Sequence, residues 1–331
     1  MKDARVFITG GSGFVGSRLA MSLIADNRVA VFDNFSRDAL SSSGILSNPN
    51  LQVVSGDVCD HGALAAAMAE FAPTHVVHSA AIAGIDTVVE KPVNTLSVNL
   101  IGTANLLSAA LDHPQLRRAV IFSTSEVFGQ YAFANSEESS TSIGAAGEAR
   151  WLYAVSKLAS EHLAIAYHRQ HGMPTVVLRP FNVYGPGQIG ESAMVKFIHQ
   201  ALRGRPLEIH GDGTQIRAWC YVDDMIRALL AALEHPRAVG ETFNIGNPRA
   251  VTTIYGLAST VVRLLRSPSE IAFAPRLSAD VELRVPNANK AREHLGFEAK
   301  VDLEEGIPRT AEFYRERLEW DTASIPSRLD A

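Results

Sequence analysis

A doubly wound α/β fold, with a parallel sheet and a smaller α/β lobe toward the C-terminus, is the architecture this sequence predicts. Three observations carry it. Short apolar strands alternate with helical stretches through the first half of the 331 residues. The strands read as near-continuous apolar runs, as expected when helices cover both faces of a parallel sheet. A glycine-rich turn joins the first strand to the first helix, where such folds bind ligands.

Each element follows in order. Arg5–Thr9 is a strand, the glycine turn follows, and Phe14 to Ala25 has helical periodicity. Val29–Phe32 is a second strand ending at Asp33, and Leu51–Val54 a third ending near Asp57. Helical Ala63–Phe71 leads to strand His75–His78, and a long helical stretch from Pro92 to Leu111 leads to strand Ala119–Phe122. Residues 134–149 are polar, acidic and Gly/Ala-rich and read as a loop. Helix Trp151–His171 and strand Thr175–Leu178 continue the winding. After Pro186 the elements shorten around Gly185-Pro186-Gly187-Gln188, Gly204-Arg205-Pro206 and Gly211-Asp212-Gly213. The expected division is residues 1–185 as a Rossmann-type nucleotide-binding unit, to which segments near 219–245 return, and 186–331 mainly as the second lobe.

Composition narrows the function classes. Hydrophobic residues make up 47% and charged residues 20%, ordinary for a soluble globular chain. The net charge of −5 and pI of 6.1, without a basic stripe, argue against nucleic acid as partner. No apolar run reaches the roughly 18 residues of a membrane span. The opening MKDARVFITGG does not resemble a cleavable signal peptide. Cys59 and Cys220 have no metal-ligand spacing, so neither a disulfide framework nor a zinc site is expected, and a reducing, cytoplasmic compartment fits.

Gly10, Gly13 and Gly16 lie between a strand and a helix in TGGSGFVG. That turn must bring backbone N–H groups close to a pyrophosphate, where a Cβ would obstruct, and the helix N-terminus adds partial positive charge. Asp33 closes the next strand, placed for the adenosine ribose hydroxyls. Its carboxylate repels a 2′-phosphate, so NAD is the expected cofactor, although Arg37 nearby could accommodate such a phosphate. Asp57 is a candidate for the adenine.

Tyr153 and Lys157 form Y-x-x-x-K on one helix face. An ammonium beside a phenol favours the phenolate, so the expectation is a tyrosine of lowered pKa acting as general base, with the lysine also holding the nicotinamide ribose. Strand Ala119–Phe122 runs into Ser123-Thr124-Ser125-Glu126. There the Thr124 hydroxyl can share a proton with Tyr153, and Glu126 can serve as base or orient a group at C5 or C6 of a sugar.

Together these residues resemble the extended short-chain dehydrogenase/reductase family of nucleotide-sugar epimerases, dehydratases and decarboxylases. The resemblance runs through Gly56-Asp57-Val58, His78-Ser79-Ala80-Ala81, Val98-Asn99-Leu100-Ile101-Gly102-Thr103, Arg179–Pro186 and Gly211–Arg217 before Tyr221-Val222-Asp223-Asp224. It implies NAD contacts from Phe14, Val15, Asn34, Asp57, Val58, Ala80, Ala81 and Asn99. It implies diphosphate ligands at Asn182 and Arg217, a nucleobase strand at Pro206–His210, and an arginine, Arg284, reaching the diphosphate or a uronate carboxylate. Asn287 stands where the family usually has Asp. It also implies a homodimer through the helical stretches 92–111 and 151–171.

The shared chemistry is oxidation at C4 of a nucleotide-linked sugar. Thr124-Ser125-Glu126 and Arg150-Trp151-Leu152-Tyr153 resemble UDP-glucuronate decarboxylases, which makes decarboxylation the first expectation. A UDP-sugar 4-epimerase comes next: simple 4-epimerases usually have no acid at the Glu126 position, and Gly187-Gln188 stands where many decarboxylases and glucuronate 4-epimerases carry arginine after Gly-Pro. A 4,6-dehydratase follows, disfavoured by Ser125 where Asp is typical. A non-catalytic NAD-binding protein comes last, since it would have no need to keep Thr124, Tyr153 and Lys157 together.

Overall fold

The structure, a computed structural model, describes residues 1–190, 192–275 and 281–323. Seven parallel strands form the central sheet: β1 (Arg5–Thr9), β2 (Arg28–Asp33), β3 (Leu51–Ser55), β4 (His75–His78), β5 (Arg118–Phe122), β6 (Thr175–Pro180) and β7 (Thr242–Ile245). Their spatial order is β3-β2-β1-β4-β5-β6-β7. The order reverses between β1, which pairs with β2, and β4, its other neighbour, so a crevice opens at their carboxyl ends.

Side chains of a strand alternate between faces, and both faces here are covered. Val6, Ile8, Val29, Val31, Val120 and Val176 pack on one side with Leu19 and Leu23 of helix Phe14–Leu23 and Met225 and Leu229 of helix Val222–Glu234. Phe7, Ala30, Phe32, Val76, Ile121 and Val177 pack on the other with Leu64, Met68, Leu106 and Leu107. This two-sided burial explains why the strands read as apolar runs.

The expected 92–111 helix is helical but not uniform. Helix Pro92–Leu96 passes into a π-turn at Ser97–Ile101 before helix Gly102–Ala110. The wider turn leaves the Asn99 carbonyl to two hydroxyls, from Thr103 at 2.7 Å and Ser160 at 3.0 Å. The polar 134–149 stretch also departs from expectation at its start, because Tyr131–Asn135 is a strand paired with Leu283–Pro286.

A second, four-stranded sheet runs in the order Val251–Thr253, Ile216–Ala218, Leu283–Pro286, Tyr131–Asn135. Its parallel pairing sets Arg217 opposite Arg284. Among the described residues no helix is long and apolar enough to cross a membrane.

Candidate active site

Two cavities open at the carboxyl ends of the central strands and share one wall residue, Phe14. The first, about 490 Å³, is lined by Gly10, Gly13, Phe14, Asp33, Asn34, Arg37, Gly56, Asp57, Val58, Ala80 and Ala81, with Lys91 and Asn94 at a further wall. Gly10 has φ +70°, and a Cβ there would lie 2.4 Å from the Ala80 nitrogen. A Cβ on Gly16 would meet the Gly10 oxygen at 2.4 Å. The glycines therefore let β1, the turn and the β4 end close on one another, leaving room for a ligand above.

Asp33 holds this turn together. One carboxylate oxygen accepts from the Ser12 N–H at 2.9 Å and the other from the Phe35 N–H at 2.8 Å. Asp57 accepts from the Cys59 N–H at 2.9 Å. Val15, Gly16 and Asn99 are not on the cavity wall but behind it. The Asn99 amide donates to the Ile82 carbonyl at 3.1 Å and accepts from the Ile82 N–H at 2.8 Å, fixing the chain beside Ala80 and Ala81. Its amide also donates to the Ser156 hydroxyl at 3.0 Å, tying the wall to the tyrosine helix, Leu152–His171.

The second cavity, about 470 Å³, is lined by Thr124, Ser125, Glu126, Arg150, Tyr153, Asn182, Gln188, Arg217, Trp219 and Arg284, among others. Thr124 starts a 3₁₀ turn, Ser125–Phe128, accepting from the Glu126 N–H at 3.2 Å. Glu126, 19% exposed, meets Arg150 at 2.7 Å on one oxygen and Arg284 at 3.7 Å on the other. Arg284 also donates to the Gly129 carbonyl at 3.1 Å. Arg217 donates to the Val281 carbonyl at 2.5 Å. Asn182 has φ +36° and its amide donates to the Ala218 carbonyl at 2.8 Å, joining the lobe sheet to the end of β6.

Electrostatics at Tyr153 differ from the expectation. Burial pushes its phenol above the ordinary range and the Glu126 charge adds to that, while only the Thr124 hydroxyl pulls the other way. Lys157 does not reverse this; burial in turn lowers its own pKa to about 8. Desolvation disfavours both charged forms. Lys157 is 1% exposed, and its Nζ has no hydrogen-bond partner among the described residues. A buried ammonium costs stability unless paired. This orphaned donor, with the glycine cradle and Asp33, fits a dinucleotide whose ribose reaches between the two cavities.

The structure brings Thr124, Glu126, Tyr153, Asn182, Arg217 and Arg284 to one cavity and Gly10, Gly13, Asp33, Asn34, Asp57, Val58, Ala80 and Ala81 to the other, with Lys157 on the wall of neither. Arg150 is a cavity residue beyond the expected site residues. In sequence it stands only as part of the Arg150-Trp151-Leu152-Tyr153 motif, and folding sets it against Glu126, 24 residues earlier. The signal available was an arginine three residues before the tyrosine, in the turn that leads into its helix. Among the described residues no group of His, Cys, Asp and Glu could hold a metal ion.

Residues 6–246 match the NAD dependent epimerase/dehydratase family. The chain is 34% identical over 325 residues to a UDP-N-acetyl-alpha-D-glucosaminuronate decarboxylase of Bacillus cytotoxicus, covering 94% of this chain and 98% of that one. It is 35% identical to UDP-glucuronic acid decarboxylase 6 of Arabidopsis thaliana, over 96% of this chain and 90% of the other. Among solved structures, it resembles a UDP-glucuronic acid 4-epimerase of Bacillus cereus, bound to UDP-glucuronic acid and NAD. The TM-score there is 0.86 at 29% identity, covering 96% and 100% of the two chains.

Proposed function

The chain belongs to the NAD-dependent epimerase/dehydratase family, and from that membership we propose that it decarboxylates a UDP-linked uronate by way of a 4-keto sugar. The observation that carries this reading is Glu126 standing between Arg150 and Arg284 in the cavity that holds Tyr153. Guanidinium groups at a sugar site suit a carboxylate, because their planar fork pairs with its two oxygens. The decarboxylase relatives support the same choice.

Gly10, Gly13, Asp33 and Lys157 would hold NAD, which when bound supplies the oxidant at sugar C4 and later returns the electrons. Tyr153 takes the C4 hydroxyl proton in this reading, with the Thr124 hydroxyl beside it. A ketone at C4 turns a C6 carboxylate into that of a β-keto acid, which loses CO2 readily. Arg284 and Glu126 would set the orientation of that carboxylate, and Asn182 and Arg217 would bind the diphosphate. Residues 1–185, with 219–245, act as the cofactor unit, and 186–331 supplies most of the sugar-nucleotide contacts.

A second reading, 4-epimerisation, is supported by the likeness to the UDP-glucuronic acid 4-epimerase. Incubation with UDP-glucuronate and, separately, UDP-glucose, with and without NAD, tests both by product mass and NMR. Loss of CO2 from UDP-glucuronate is expected. An unchanged mass with an inverted C4 proton would replace decarboxylation with epimerisation.

The homodimer belongs to the same proposal. Val93, Leu100, Ile101 and Leu111 on one helical stretch and Val155 on the tyrosine helix are exposed apolar residues, as a helical dimer face requires. A cytoplasmic site of action is in keeping with two unpaired cysteines, Cys59 and Cys220.

A further inference from the structure

We propose that Arg150 is a positioning residue that controls Tyr153 through Glu126, by holding the Glu126 carboxylate on one oxygen and offsetting its charge where that charge would otherwise bear on the phenol. The inference rests on the reading of Tyr153 as proton acceptor and goes beyond it, since no sugar contact by Arg150 is required.

The geometry points to Arg150 rather than Arg284 as the principal partner. Arg150 meets Glu126 Oε2 at 2.7 Å, the length of a charge-assisted hydrogen bond, whereas Arg284 stands 3.7 Å from Oε1 and donates to the Gly129 carbonyl. Arg150 is also braced from behind. Its guanidinium lies 5.2 Å from the centre of the Trp151 ring. That ring is buried, and its N–H donates to Glu148 at 2.7 Å. A guanidinium fixed this way holds Glu126 in one place with little motion to lose.

Glu126 is the link to Tyr153. It follows Thr124 on the 3₁₀ turn, and its carboxylate raises the phenol's pKa in addition to burial. Among the described residues, the other charged groups lining this cavity are Arg217 and Arg284 from the paired strands, and Lys157 lies on the tyrosine helix itself. Removing Arg150 leaves the Glu126 charge less balanced in a poorly solvated place, and a nearby anion disfavours the phenolate. Removing the Glu126 charge should do the opposite, and should make Arg150 irrelevant to the phenol.

The test is NMR of ring-labelled tyrosine in the NAD-loaded protein, with Tyr153→Phe to assign the signal. Arg150→Met should move the Tyr153 midpoint alkaline by about one pH unit, about tenfold less phenolate at a fixed pH below it. Glu126→Gln should move it toward acid, and adding Arg150→Met to Glu126→Gln should change nothing further. Arg150→Lys should recover most of the wild-type midpoint. Arg150→Lys also replaces Arg150→Met in the comparison if near-ultraviolet circular dichroism shows that the latter has lost its packing. An unchanged midpoint in Arg150→Met, or an equal shift in both Glu126 backgrounds, would overturn the proposal. These readouts need no substrate. A coupled titration in a protein that turns over no UDP-sugar would support the coupling and sink only the reading on which it rests. Turnover of UDP-glucuronate with an uncoupled titration would sink the coupling alone.

Discussion

The cavity at the glycine turn is closed by tight backbone approaches at Gly10 and Gly16, while in the neighbouring cavity Glu126, Arg150 and Arg284 come from separate elements and pair with one another. The first gains its shape from what is absent. Gly10 and Gly16 leave room where any Cβ would strike backbone, and Asp33 spends its carboxylate on two N–H groups of its own turns. The second gains its shape from what is present and paired, with Glu126 held by two arginines and Arg217 set opposite Arg284. A backbone cradle can serve one cofactor across many enzymes. A cluster of charged side chains can be rebuilt one residue at a time.

The contrast can be broken most severely at Tyr153, which belongs to the second cavity. Tyr153→Phe should lower turnover by about 10³-fold while NAD binding, measured by calorimetry, stays near wild type. Loss of both together would mean that the two cavities are not separable.

Lys157, buried on the tyrosine helix, gives the next largest effect. Its pKa in the fold is about 8, against an ordinary value of 10.5. Between those values the unfolded chain binds more protons than the folded one, so stability should rise with pH across that window. The gain in the NAD-free protein, relative to Lys157→Met, should reach about 3 kcal/mol. Thermal melts of both proteins across the window check it, and saturating NAD should flatten the difference.

The smallest of the three sharpens the cofactor side. Gly10→Ala places a Cβ against the Ala80 nitrogen at φ +70°, which should cost about 2 kcal/mol of stability and weaken NAD binding. Tyr153 titration in the NAD-free protein should remain as before.

The same contrast explains what the sequence made legible. The glycine turn, Asp33 and the apolar strands are local signals, since backbone approach and two-sided burial impose their residue types directly. The π-turn at Ser97–Ile101 left no such trace, and one of the two hydroxyls that its Asn99 carbonyl accepts from, Ser160, comes from another helix. Strand Tyr131–Asn135 was hidden for a related reason. It forms by pairing with Leu283–Pro286, far along the chain. Arg150 was visible as a letter in a motif but not as the partner of Glu126. The Tyr153 expectation took account of a neighbouring charge and missed burial, which in this site is the larger effect.

The return of β7 to the central sheet has a consequence for how the chain is made. β6 pairs on one side with β5 and on the other with β7, so its second edge can be satisfied only after residues 181–241 have left the ribosome. Until then a strand destined for the sheet interior presents a row of open N–H and C=O groups. Nascent chains stalled in that interval would be the ones most in need of a chaperone, because an unpaired parallel edge invites another chain to complete it.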